Sequence, residues 1–91
     1  MSGHYKDHKV LNKRISEIKK QIPVGGRYRH NRNKEEYEVL DVVIFSEDPE
    51  QTFVIYKGLY SHGLVWARPW EMWNEEVEVD GKKVPRFKKI D

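Results

Sequence analysis

Four aliphatic residues near the start of the chain, Leu11, Ile15, Ile18 and Ile22, recur at spacings of four, three and four, which places them on one stripe of a helix. Asp7 stands where an N-cap carboxylate belongs, and Pro23 followed by Gly25-Gly26 stops the pattern. A helix is therefore expected over residues 8–22, behind a polar leader, residues 1–7. The stripe is narrow and flanked by Lys13, Arg14, Lys19 and Lys20. It suits packing on the rest of the domain, which is the preferred expectation, or pairing with a second copy of the chain.

From Gly26 the hydrophobic period changes from helical to alternating. Arg27 to His30 reads as a short strand, Asn31 to Lys34 as a turn, and Glu35 to Phe45 as a long strand with Tyr37, Val39, Val43 and Phe45 on one side. After the turn Ser46-Glu47-Asp48-Pro49-Glu50, the run Gln51 to Lys57 alternates Phe53 and Ile55 against Val54 and Tyr56. Gly58 to Gly63 interrupts, and Leu64 to Arg68 resumes as a strand. Pro69 cannot continue a ladder, so Trp70 to Asn74 is expected to form a helical turn. Val77, Val79, the Asp80-Gly81 turn and Val84 to Ile90 predict a final hairpin. Five to six short strands in residues 24–91 imply a mainly β fold, a small bent sheet or barrel, as a single domain with the helix in front.

Composition narrows the function classes. With 91 residues, 12% of them aromatic, and no cysteine, the chain has one thin core and neither disulfides nor thiolate metal sites, so self-association is an open route to stability. No apolar stretch is long enough to cross a bilayer and Met1 to Lys9 lacks a signal-peptide pattern, so no membrane role and a cytoplasmic location are expected. The net charge of +2 conceals segregation: residues 1–34 carry +8, residues 35–80 carry −10 and residues 81–91 carry +4. A basic arm can track nucleic-acid phosphates, or it can dock on the acidic body.

Three constellations carry candidate binding chemistry. All three tryptophans, Trp66, Trp70 and Trp73, fall within eight residues together with Arg68. Strand alternation sets Trp66 and Arg68 on one face beside the Pro69 exit, a pairing that stacks on a planar ring and forks toward an anion. The competing reading makes the tryptophans core and pairs Arg68 with an acid such as Glu71. The second constellation is Arg27-Tyr28-Arg29-His30, with Tyr28 and His30 on one face and Arg27 and Arg29 on the other; a solvated basic edge is its alternative. The third is the loop Tyr56-Lys57-Gly58-Leu59-Tyr60-Ser61-His62-Gly63, whose glycines permit close backbone approach to a ligand or simply a turn.

Catalytic patterns are missing: there is no cysteine nucleophile, no phosphate-loop glycine pattern and no serine elbow. His4 and His8 have i, i+4 spacing but no evident third ligand, so no metal or cofactor is expected. Glu75, Glu76, Glu78 and Asp80 read as solvent-facing strand positions rather than an acid-base pair.

The ordered motifs Gly26-Arg27-Tyr28-Arg29-His30, Tyr37-Glu38-Val39-Leu40, Tyr56 with Leu59-Tyr60, Trp66-Ala67-Arg68-Pro69 with Glu71-Met72, and Val77 to Phe87 with its Val84-Pro85-Arg86-Phe87 resemble a bacterial and phage family of domains of unknown function catalogued as 1653. The resemblance spans Val24 to Ile90 and excludes the N-terminal helix. It implies a compact β-rich, SH3-like domain, and it matches Tyr28, Arg29, His30, Trp66, Arg68, Pro69, Met72 and Arg86 to motif positions without assigning them a role. The loop Asn31-Arg32-Asn33-Lys34 departs from the family's aromatic-Lys-Gly turn, and Lys57 stands where the family has Arg.

The expectation is a non-enzymatic module for a small anionic, ring-containing ligand such as a nucleotide or nucleotide-derived signal, with Tyr28, Arg29, His30, Tyr56, Lys57, Tyr60, Trp66, Arg68 and Trp70 as its candidate contacts. A phage origin would suit sequestration of such a signal, with the helix building an oligomer. Nucleic-acid binding through the basic helix, and peptide binding on the tryptophans, are the alternatives.

Overall fold

A computed structural model describes residues 7–91. The leader residues 1–6, including His4 of the histidine pair, lie outside the described residues. Helix α1 spans His8–Gln21. The Asp7 carboxylate caps it by accepting the Lys9 amide at 2.8 Å, and Lys19 and Lys20 lie in the last turn, where the helix dipole favours cations. Pro23 ends the helix. Gly25 takes a positive φ of 87° and donates its N–H to the Val39 carbonyl, which ties the connection to the sheet.

Seven strands follow: β1 (Arg27–His30), β2 (Glu36–Ile44), β3 (Thr52–Gly58), β4 (Val65–Pro69), then helix α2 (Trp70–Trp73), β5 (Glu76–Val79), β6 (Lys82–Pro85) and β7 (Phe87–Lys89). The main sheet is antiparallel in the order β4-β3-β2-β1-β7, and β5 and β6 form a separate hairpin. The result is a mainly β domain built on a bent sheet with one N-terminal helix. The final hairpin differs from its expected form, because the chain leaves it at Arg86 and the last strand crosses to pair with β1. Strand β1 therefore lies inside the sheet, not at a basic edge.

One strand face differs from the simple alternation. The β2/β3 register shifts between Val39 and Asp41, leaving Leu40 as an extra residue on β2. A bulge reverses the parity of everything after it, so Val42 rather than Val43 enters the core and Phe45 is exposed, resting edge-on against Phe53.

The core lies between the inner sheet face, α1 and α2. Its buried members are Ile18 of α1 and its C-cap Ile22, Tyr28, Tyr37, Val39, Val42, Val54 and Tyr56 of the sheet, Trp73 of α2 and Phe87 of β7. Full burial of an aliphatic side chain contributes about 1.5–3 kcal/mol, so Ile18 and Ile22 are the main apolar anchors of the helix, with Leu11 and Ile15 half-buried around them. Charge reinforces the seating. Lys19 pairs with Asp41 at 3.1 Å, and Arg14 donates to the Pro49 carbonyl at 2.6 Å and approaches Glu50 at 3.9 Å. The basic helix thus docks on the acidic body, with two of its four flanking cations engaged there. The Asp41 carboxyl is held below its ordinary pKa by the Val42 amide and then by Lys19.

Candidate functional site

The β3/β4 register pairs Tyr56 with Trp66 and Val54 with Arg68, so Trp66 and Arg68 share the inner face that also carries Tyr56. Strand β4 ends the sheet and has no second neighbour in the main sheet. That position leaves Trp66 44% exposed while Arg68 is half-buried behind it. The Arg68 Nε donates to the Tyr56 hydroxyl at 3.1 Å, and its guanidinium carbon stands 5.8 Å from the centre of the Phe87 ring. Arg68 forms no ion pair among the described residues, so the expected alternative pairing with Glu71 does not occur.

Tyr60 completes the outer wall. Its hydroxyl accepts from the Trp66 indole N–H at 3.1 Å, and its ring meets Tyr37 edge-on at 5.9 Å. A Cβ at Gly58 would fall 2.2 Å from the Tyr60 ring, so only glycine there lets the ring lie where it does. The close approach that the loop glycines allow is thus made by the chain's own tyrosine.

His30 lies on the neighbouring part of the same face, buried and edge-on to Phe87 at 5.2 Å. Its Nδ1 accepts from the Arg32 amide at 3.1 Å and the Asn33 amide at 3.4 Å, which leaves the proton of the neutral ring on Nε2. Burial lowers its pKa, and Arg86, Arg68 and Arg32 add to the shift. Arg86 engages Glu75 through Nη2 at 3.2 Å, while its Nε is buried without a hydrogen-bond partner among the described residues. The Arg68 end of the inner face therefore carries an excess of positive charge around a neutral histidine.

The other candidate positions divide clearly. Tyr28 is a core residue against Trp73, with rings 5.5 Å apart, and burial raises its pKa. Arg29 lies on the opposite face of β1, where the alternation that buries Tyr28 and His30 points it outward to Glu36 at 3.2 Å. Lys57 is likewise on the outer face of β3, opposed to Val65. The structure does not bring either cation to Arg68. The tryptophans take three environments: Trp73 is buried and stacked on Phe87 at 4.1 Å, Trp70 is half-buried beside Arg14 and Ile18, and Trp66 is exposed. Phe87 is the member that sequence reasoning missed, since only the crossing of β7 to β1 brings it under Arg68 and His30.

Among the described residues no group of three or more histidine, cysteine, aspartate or glutamate side chains could hold a metal ion, and no helix is long and apolar enough to cross a membrane. The geometry defines a small β-rich domain whose open sheet edge presents an arginine-aromatic cluster. The chain belongs to the family described as Protein of unknown function (DUF1653), whose model matches residues 26–89. The matched segment begins after α1 and takes in every strand. No curated protein and no solved structure matches the chain.

Proposed function

We propose that this domain is a non-enzymatic binder of a small anionic, ring-containing ligand of the nucleotide class, taken up at Arg68 and Trp66. The observation that carries this reading is a half-buried guanidinium with no carboxylate partner among the described residues, fixed by Tyr56 beside an exposed indole. An arginine fork in that setting pairs with phosphate or carboxylate oxygens, and the indole face stacks on a planar ring. The neighbouring Arg86, Arg32 and neutral His30 add positive potential and a ring N–H donor to the same end of the sheet. A non-catalytic domain of this kind acts by holding its ligand, and sequestration of a nucleotide-derived signal is the role that fits.

Binding of AMP, ADP and cyclic nucleotides, followed by calorimetry and native mass spectrometry, tests the reading. Arg68→Ala is expected to abolish binding while the amide spectrum of the folded protein is kept. Unaltered affinity in that variant would overturn it. The alternative of nucleic-acid binding along α1 has less support, because Arg14 and Lys19 are committed to Pro49, Glu50 and Asp41 within the molecule.

A further inference from the structure

A second concave surface lies at the far end of the sheet from β4. The β5/β6 register places Val77, Val79, Lys82 and Val84 on one face of the hairpin. Val77 is buried there, while Val79 and Val84 remain half-exposed. Between this face, the Asn31–Lys34 turn and edge strand β7 is an open cavity of about 470 Å³, whose apolar lining is Val79, Val84 and Pro85. Lys34, Lys82 and Lys88 line it, with Asn31 and Asp80. Asn31 Nδ2 donates to the Pro85 carbonyl at 2.6 Å and so ties the turn to the hairpin.

Three features of this groove bear on a ligand. Its volume falls in the range of small-molecule sites, about 300–1,000 Å³, and such sites combine an apolar lining with a few polar groups. Its charge is one-sided: none of the three lysines forms an ion pair among the described residues, and Asp80 offsets only one of them. Finally, Lys34 takes a φ of 66°, a left-handed conformation that glycine adopts without strain and a lysine does not. A lysine is thus held at the rim of the groove where the backbone alone favours glycine.

We infer that this groove is a second binding site, for a small organic anion with an alkyl-like apolar portion, that portion resting on Val79, Val84 and Pro85 and the charge held by Lys34, Lys82 and Lys88. The absence of an aromatic side chain from its lining separates it from the Arg68 site, which stacks a ring. The two sites share no residue.

Octyl phosphate is the probe, titrated into the full chain labelled for amide NMR and checked by calorimetry. Shifts are expected at Asn31, Lys34 and residues 79–88 with the Trp66 indole signal unmoved, and octanol or inorganic phosphate should bind at least tenfold more weakly. The double variant Lys82→Glu, Lys88→Glu should lose the binding with the fold's amide dispersion intact. Lys34→Gly should keep or raise the melting temperature yet weaken binding about threefold, the scale of one exposed ion pair. Equal affinity for octanol, binding indifferent to the charge reversals, or association with anionic vesicles without binding of free octyl phosphate would each overturn the assignment.

Discussion

Arg68 donates through Nε to the hydroxyl of Tyr56 at 3.1 Å, and this bond leaves its two Nη nitrogens for an end-on bidentate ligand. Both residues project from adjacent strands of the inner face, so the sheet fixes the fork before a ligand arrives. Tyr56→Phe is expected to keep the ring contacts to Tyr37, Trp73 and Phe87 and to cost about 0.5–1.5 kcal/mol in urea unfolding, the range of one hydrogen bond. Its larger effect should be on affinity, measured by calorimetry with AMP, because the released guanidinium must be ordered again on binding. An unchanged dissociation constant would separate Arg68 from the proposed site.

The buried Trp73 and the exposed Trp66 should respond differently to truncation. Trp73 is 2% exposed and touches Phe87, Tyr28 and Tyr56, so Trp73→Ala is expected to cost about 3–5 kcal/mol, a large share of the roughly 5–15 kcal/mol that holds a small domain folded. Trp66→Ala removes an exposed indole and one hydrogen bond, for about 1 kcal/mol or less, but should lower nucleotide affinity. Urea titration of both variants decides this, and acrylamide quenching should report Trp66 as the accessible indole.

That contrast shows what was legible in the sequence. The helical stripe, the strand alternation and the turns were readable because each is a local period, and the shared face of Trp66 and Arg68 followed from period two. At Pro69 the period changes from strand to helix, which sends Trp70 and Trp73 to surroundings that strand alternation does not anticipate. The bulge at Leu40 was hidden because an extra residue is visible only against its partner strand, and it exchanged Val42 for Val43. Phe87 and the lysine groove depend on the crossing of β7 to β1, a pairing between the two ends of the sheet-forming segment that no local pattern encodes. Arg29 and Lys57 had the right chemistry but the wrong parity for the inner face.

His30 should give the domain a pH-dependent stability. Its folded pKa lies below the ordinary value of 6.5, first through burial and then through Arg86, Arg68 and Arg32. Below pH 6.5 the unfolded chain takes up a proton that the folded chain does not, so stability is full above that pH and is lost as pH falls through the folded value. His30→Asn keeps an acceptor for the Arg32 and Asn33 amides and removes the titration. Melting temperatures measured across this range should decline on acidification in the parent and stay flatter in the variant. Parallel curves would place the titration elsewhere.

Gly58 offers a way to disturb the outer wall of the site without touching a polar group in it. An alanine Cβ there would meet Tyr60 at 2.2 Å from Cε2, 2.3 Å from Cζ and 2.7 Å from the hydroxyl. These are the far atoms of a half-exposed side chain, so the strain is relieved by swinging the ring outward rather than by moving the sheet. The Gly58 amide bond to Leu64 and the Tyr37↔Gly58 register do not require glycine. Gly58→Ala should therefore leave the fold intact while taking the Tyr60 hydroxyl from the Trp66 indole, and its nucleotide affinity should resemble that of Tyr60→Phe more than that of the parent. If ring and indole act together, the double variant Gly58→Ala, Tyr60→Phe will be no weaker than either single one; additive losses in calorimetry would mean that the glycine acts on the site by another route.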